Sequence, residues 1–221
     1  FERTCNALEA SLRRLGRDFV DVYLIHWPAL PRRPHSSSEH RRARHETWRA
    51  LERLYREQRA RIIGVSNFTA QHLEQLLEDG VELVPMLNQL EVHPLCLPHD
   101  TLDCCQRHRI AVQAYAPLGG GPDSNCARAG GEDGTRLLLG SECVRFIARE
   151  QGCTPAQVVL RWGLERGFAV VPHSRKRQHI VENAAIFSNG IKLTPEQMAR
   201  LDALEHESFA QKFCWDPSWI R

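Results

Sequence analysis

Five short apolar runs in this sequence each end in residues able to do chemistry. The endings read His26-Trp27-Pro28, Ser66-Asn67-Phe68, Glu91-Val92-His93, Tyr115-Ala116-Pro117 and Pro172-His173-Ser174. An imidazole can orient a polar group or carry a proton near neutral pH. Amide and hydroxyl groups such as those of Ser66, Asn67 and Gln89 supply both hydrogen-bond donors and acceptors. A tyrosine ring adds a flat face for stacking. Polar and aromatic groups delivered at the same relative position by successive runs point to a ligand site rather than to packing. His93, before a proline, reads as a structural residue.

The runs must be held by something, and the intervening segments have helical spacing. Leu8, Leu12 and Leu15 share one helical face, and Gly16 supplies a stop. Phe19 to Trp27 is almost continuously apolar, as a strand buried on both faces should be. Trp48, Leu51, Leu54 and Tyr55 mark a second helix, leading to Ile62-Ile63-Gly64-Val65. Thr69 can cap a third helix that carries Leu73, Leu76 and Leu77 and ends at Gly80. The run from Leu83 to Val92, a helix from about Pro98, and the run Ile110 to Tyr115 follow. Thr154-Pro155-Ala156-Gln157 and Thr194-Pro195-Glu196-Gln197 read as capping boxes with proline at the first helical position. The last apolar run is Phe168 to Val171.

Strands alternating with helices imply a parallel sheet with helical crossovers. Two architectures satisfy this, an open doubly wound sheet and a (β/α)8 barrel. The dinucleotide fingerprint G-x-G-x-x-G is missing, because Pro122 follows Gly119-Gly120-Gly121. The barrel is therefore preferred, with function expected at the carboxyl ends of its strands.

Composition excludes several classes. The 221 residues are 42% hydrophobic and 25% charged, enough for a globular core, and the net charge of +2 gives no strong pull toward nucleic acid or membrane. No apolar run reaches the ~18 residues of a spanning helix, and no signal peptide opens the chain. The eight cysteines form no C-x-x-C pair, so reduced thiols in a cytoplasmic protein are expected. The neighbours Cys104 and Cys105 could form a redox switch, although two ordinary helix residues is the preferred reading. No metal site is expected: His35, His40 and His45 lack ligand spacing. The segment from Pro31 to His45, with five arginines, three histidines and one glutamate, reads as a solvated loop rather than a nucleic-acid patch. The glycine-rich segment from Gly119 to Gly134 fits a lid or a merely flexible loop.

The motifs VDVYLIHWP (Val20 to Pro28), IIGVSNF (Ile62 to Phe68), NQLEVHP (Asn88 to Pro94), QAYAPLG (Gln113 to Gly119) and VPHS followed by VEN (Val171 to Asn183) resemble, in order, strands four to eight of the aldo-keto reductases. FCWDPSW (Phe213 to Trp219) is similar to a common ending of that family. The resemblance covers nearly the whole chain. It implies a single domain over residues 1–221, an α/β fold of (β/α)8 TIM-barrel type, partial, holding strands four to eight with their helices. It also implies hydride transfer from NADP(H) to an aldehyde or ketone, a small-molecule carbonyl substrate, and a monomer for the complete protein. On this resemblance His26 is the catalytic histidine that orients the carbonyl. Ser66, Asn67 and Gln89 bind the nicotinamide carboxamide, and Tyr115 stacks on the ring. Leu118 touches the middle of the cofactor. His173, Ser174, His179, Glu182 and Asn183 fall at its adenosine end, and Trp27 lines the substrate pocket.

Two departures qualify the resemblance. The family's proton-donor tyrosine and its lysine and aspartate partners lie on or after its first three strands. This chain has only Tyr23, Tyr55 and Tyr115, and its three lysines, Lys176, Lys192 and Lys212, all fall near or beyond the last strand motif. The chain alone is thus expected to be nearly inert, and a non-catalytic cofactor binder or structural protein is the alternative. Five strands without the rest of a barrel would expose two apolar edges, so the chain alone is also expected to be aggregation-prone. Second, where the family places lysine and arginine beside the 2′-phosphate, this sequence has His173 and His179. Arg175, Lys176 and Arg177 are expected to compensate in part, with NADPH still preferred over NADH.

Overall fold

The computed structural model describes residues 1–121, 124–128, 130–131, 133–207 and 212–221. Its elements, in chain order, are α1 (Glu2–Leu15), β1 (Val20–Ile25), α2 (Glu39–Arg56), β2 (Ala60–Ser66), α3 (Ala70–Glu78), β3 (Leu87–Glu91), α4 (His99–Arg107), β4 (Ala111–Tyr115), α5 (Asn125–Arg128), α6 (Gly134–Gly140), α7 (Glu142–Gln151), α8 (Pro155–Glu165), β5 (Ala169–Val171), α9 (Arg177–Ala184) and α10 (Pro195–Glu207). Strand order follows chain order, β1-β2-β3-β4-β5, and the paired strands β1 with β2, β2 with β3, and β4 with β5 run parallel. A doubly wound sheet reverses its order at a switch point. Sequential order without reversal is what a barrel wall requires, and it decides between the two architectures.

Two compact units are formed. One comprises Phe1–Leu90, His99–Val112 and Pro217–Arg221, the other Glu91–Pro98 and Gln113–Asp216. In the first, Trp48 and Leu51 of α2, Ile63 and Val65 of β2, Leu73 and Leu76 of α3, and Cys104 and Cys105 of α4 form one buried cluster with Phe68 and Ile110. The Trp48 indole Nε1 donates to the Leu83 carbonyl at 2.9 Å, so the largest core side chain keeps its hydrogen bond. In the second, α7 and α8 bury Val144, Ile147, Val158, Val159 and Trp162, and Trp162 Nε1 donates to Asp202 at 2.7 Å.

Local chemistry explains the helix ends. Gly16 ends α1 at φ 62°, a left-handed cap that costs glycine little. Thr154 and Gln157 form a reciprocal capping box ahead of α8. Thr69 and His72 do the same for α3, the imidazole taking the role usually played by a carboxylate or amide.

Three expectations are corrected. First, β1 is not buried on both faces: Val22 is 41% exposed and its cross-strand neighbour Ile62 39%. The strand is the terminal one of the order, and the helices cover one side of it. Second, the basic segment is not wholly a loop. Its second half starts α2, and His40 and Arg44 are buried. The His40 ring accepts from the Leu30 amide at 3.0 Å and donates to the Pro34 carbonyl at 2.8 Å. Arg44 donates to the Pro28 carbonyl at 3.0 Å and to Gln75 at 2.5 Å. These bonds, to backbone groups and to Gln75, let the polar side chains lie in the interior. Third, the glycine-rich segment contains α5, runs into the start of α6 at Gly134, and packs tightly at its ends. A Cβ on Gly119 would stand 2.5 Å from the Gly134 carbonyl oxygen, and one on Gly134 would stand 2.4 Å from the Phe213 ring. Residues 122, 123, 129 and 132 of that segment, and 209–211 of the tail, lie outside the described residues.

Candidate functional site

The ends of β2 and β3 are bonded into one network. The Ser66 hydroxyl donates to the Gln89 carbonyl at 2.9 Å, and the Asn67 amide N–H donates to the same oxygen at 2.9 Å. The Asn67 side-chain nitrogen donates to the His26 carbonyl at 3.0 Å and to Ser66 Oγ at 3.1 Å. Asn67 thereby links the ends of β1, β2 and β3. Its φ is 63°, in the left-handed region where asparagine is several-fold enriched. Ser66 and Asn67 are almost wholly buried, while His26 is exposed and Trp27 half-buried. The structure therefore brings His26, Ser66, Asn67 and Gln89 together.

Neighbouring Asn88 is fully buried and donates to the Phe68 carbonyl at 2.9 Å, fixing the turn after β2.

The end of β4 belongs to the second unit. Tyr115 is half-buried there, and Ala116 follows at φ 45°, a strained conformation for alanine. Burial, helped by the charge of Glu91, pushes the Tyr115 phenol well above its ordinary range. Tyr23, in the first unit, is also raised, by burial and then by Cys5. Neither phenol is prepared to release a proton near neutral pH. Leu118 is half-buried just beyond, and Gly119 closes the turn by donating to the Ala116 carbonyl at 2.8 Å.

After β5 the chain is open. His173, Arg175, Lys176, Arg177 and His179 are exposed. Lys176 is the N-cap of α9 and gives it no side-chain cap, while Ser174 Oγ accepts from the Lys176 amide at 3.1 Å. Uncapped first-turn amides next to cationic side chains suit an anion such as phosphate. Glu182 is engaged elsewhere: it accepts from the Thr154 hydroxyl at 2.6 Å, and its carbonyl accepts from Gln157 at 2.9 Å. Asn183 is buried on the same turn.

One polar cluster was not legible in the sequence. Glu91, at the end of β3, is fully buried, and Lys212 Nζ reaches its Oε2 at 3.0 Å. The amides of Phe213 and Cys214 donate to Oε1 at 2.7 and 3.1 Å. His93 Nε2 stands 3.4 Å from Oε1. Burial opposes ionisation, but the His93 contact and the Lys212 charge outweigh it and hold the carboxyl at about 2. Lys212, one of the three lysines, is thus committed to a carboxylate that secures the tail.

No helix among the described residues is long and apolar enough to cross a membrane, and the seven described cysteines are free thiols.

Comparison with known proteins matches these features to one family. The family model described as "Aldo/keto reductase family" matches residues 2–206. A glyoxal reductase of Bacillus subtilis is 39% identical over 94% of this chain and 64% of its own length. A 9,11-endoperoxide prostaglandin H2 reductase of Trypanosoma cruzi is 35% identical over the same shares. The chain thus spans 64% of the length of these curated relatives. Among solved structures, an aldo-keto reductase from a Medee basin deep-sea metagenome library superposes with TM-score 0.81 at 31% identity, covering 99% of this chain and 70% of that one. A Bombyx mori aldo-keto reductase in complex with NADP gives TM-score 0.75 at 28% identity, covering 92% and 63%. The five parallel strands among the described residues are those of a partial (β/α)8 barrel, and the chain belongs to the aldo/keto reductase family.

Proposed function

We propose that residues 1–221 act as one domain that carries the cofactor-binding and carbonyl-orienting part of an NADP(H)-dependent reductase of aldehydes or ketones. The observation that carries this reading is the bonded network of Ser66, Asn67 and Gln89 with the His26 backbone, on a chain of this family. NADPH, when bound, supplies a hydride for the carbonyl carbon. Ser66, Asn67 and Gln89 hold its carboxamide, Tyr115 sets the exposed face of the ring, and Leu118 contacts the middle of the molecule. His173, Ser174 and His179, together with Arg175, Lys176 and Arg177, receive the adenosine phosphate. The exposed cationic side chains and uncapped amides of α9 fit that group. Glu182 and Asn183 face the adenosine, Trp27 the substrate, and His26 donates to the carbonyl oxygen.

The proton is the weak point. The raised phenols of Tyr23 and Tyr115 favour a second reading, a nicotinamide-cofactor binder without turnover. General acid catalysis is worth about 10²–10⁴-fold, so the 221-residue chain should turn over slower by that order than a relative that carries the proton-donor set. Aldehyde-dependent NADPH oxidation tests the enzyme claim. Absence of turnover with intact NADPH binding would select the second reading. Competitive titration of NADPH against NADH tests the phosphate assignment, and equal affinities would overturn it.

A further inference from the structure

We propose that Glu74, Cys104 and His108 form a binding site for a divalent transition-metal ion of zinc type on the paired helices α3 and α4. The register of those helices is set where the Ala70 amide donates to Thr101 Oγ1 at 3.2 Å. One turn further along α3 stands Glu74. On the α4 side stand Cys104 and, one turn later, His108, spaced i and i+4 so that both point to the same side. Cys104 Sγ lies 3.5 Å from Glu74 Oε1, and His108 Nε2 lies 3.4 Å from Glu74 Oε2. The three ligand atoms all fall within 4.8 Å of one another. With bonds of about 2.0–2.3 Å, ligand atoms on a tetrahedral zinc stand roughly 3.3–3.6 Å apart, so small side-chain movements close the set.

The second observation is an orphaned atom. His108 Nε2 is shut off from solvent and has no hydrogen-bond partner, although a carboxylate oxygen is close by. A lone pair buried in that state costs free energy, and a cation between imidazole and carboxylate would use it. The donors are sulfur, nitrogen and oxygen, a mixture that suits a borderline ion such as Zn²⁺ rather than Mg²⁺ or Ca²⁺. The Glu74 and His108 side chains are 38% and 30% exposed, so the cluster lies near the surface, where an ion can arrive from solvent after a small side-chain movement. Arg107 donates to Glu74 Oε1 at 2.9 Å and steadies the carboxylate while leaving Oε2 for the ion. A thiolate and a carboxylate balance the two positive charges of the ion. Binding exchanges the Cys104 thiol proton for the metal–sulfur bond, and the proton passes to solvent.

The test is titration of the protein with Co²⁺ alone, followed by displacement with Zn²⁺. One equivalent of Co²⁺ should produce a thiolate-to-metal charge-transfer band that Zn²⁺ abolishes. Cys104→Ala should remove the band, and His108→Gln, at a partly exposed position, should weaken binding at least about tenfold with unchanged far-ultraviolet circular dichroism. Cys105→Ala should leave the band in place. No band in the parent protein, or the same band in Cys104→Ala, would overturn the proposal. So would equal affinity in folded His108→Gln.

Discussion

The ends of β2 and β3 and the segment after β5 each hold residues proposed to bind cofactor, yet they are built in opposite ways. At β2 and β3, buried side chains bond to neighbouring strand ends, through Asn67 to His26 and Ser66 to Gln89, and to the tail, through Glu91 to residues 212–214. After β5, the candidate groups stand in solvent with few bonds among themselves. The first region fixes positions to a fraction of an ångström, which a reacting ring needs. The second offers charge and amide donors without fixed positions, which suffices for a phosphate. Substitutions should therefore act on folding as well as affinity in the first region and on affinity alone in the second.

The largest effect is expected at Glu91. Glu91→Ala should cost about 3–5 kcal/mol in urea unfolding, because Lys212 and two amides lose a buried charge. The carboxyl titrates near 2 in the folded state, against an ordinary value of 4.5. The native state thus binds fewer protons than the unfolded one in that interval. Stability from Glu91 is complete above about pH 4.5 and is lost as pH falls toward 2. The variant should lose this acid-sensitive component, and an unchanged pH profile would contradict the assignment. His72 provides a second acid window. Burial lowers its imidazole to about 4 from 6.5, so its stabilising contribution is complete above about pH 6.5 and declines as pH falls toward 4. His72→Gln should flatten that upper window only.

Next comes Asn67. Asn67→Ala forces a left-handed conformation on alanine and removes the strut, at an expected cost of about 2–3 kcal/mol. Asn67→Gly relieves the first effect and should recover about 1 kcal/mol of it by the same measurement. Both should weaken nicotinamide binding, and an Asn67→Gly variant with parental affinity would remove the side chain from the site.

The open region should answer differently. Arg175→Ala and Arg177→Ala should leave stability within about 0.5 kcal/mol. Each should reduce NADPH affinity up to about fivefold at low salt, with a smaller loss at high salt. Loss of stability on the scale of Asn67→Ala would erase the contrast between the two regions. Ser174→Ala should have the smallest effect, below about 0.5 kcal/mol, because its hydroxyl bonds only a solvent-exposed turn.

What the sequence revealed follows the range of the interaction. Helices α1, α3, α8 and α10 were legible because period and cap lie within a few residues, as at Thr69, Thr154 and Thr194. Strand ends were legible as motifs. Helix α9 was missed because its apolar residues Ile180 and Val181 are 52% and 57% exposed and give no inward face. The burial of His40 and Arg44 was missed because their partners, the Leu30 amide, the Pro34 and Pro28 carbonyls and Gln75, stand 6 to 31 residues away, which no local pattern encodes. Glu91 has its partners at 212–214, and Glu74 lies thirty residues from Cys104, so spacing carries no signal for either cluster.

The Glu91 clasp also sets a timetable. Lys212 lies about 120 residues beyond Glu91 in the chain. At about 5–20 residues per second of synthesis, roughly 6–24 s separate the emergence of the carboxylate from that of its partners. Through that interval Glu91 has only His93 beside it, so the end of β3 waits without the residues that clasp it. Ribosome-bound nascent chains from which residue 212 has not emerged should display this strand end to chaperones and proteases, and released chains should hide it.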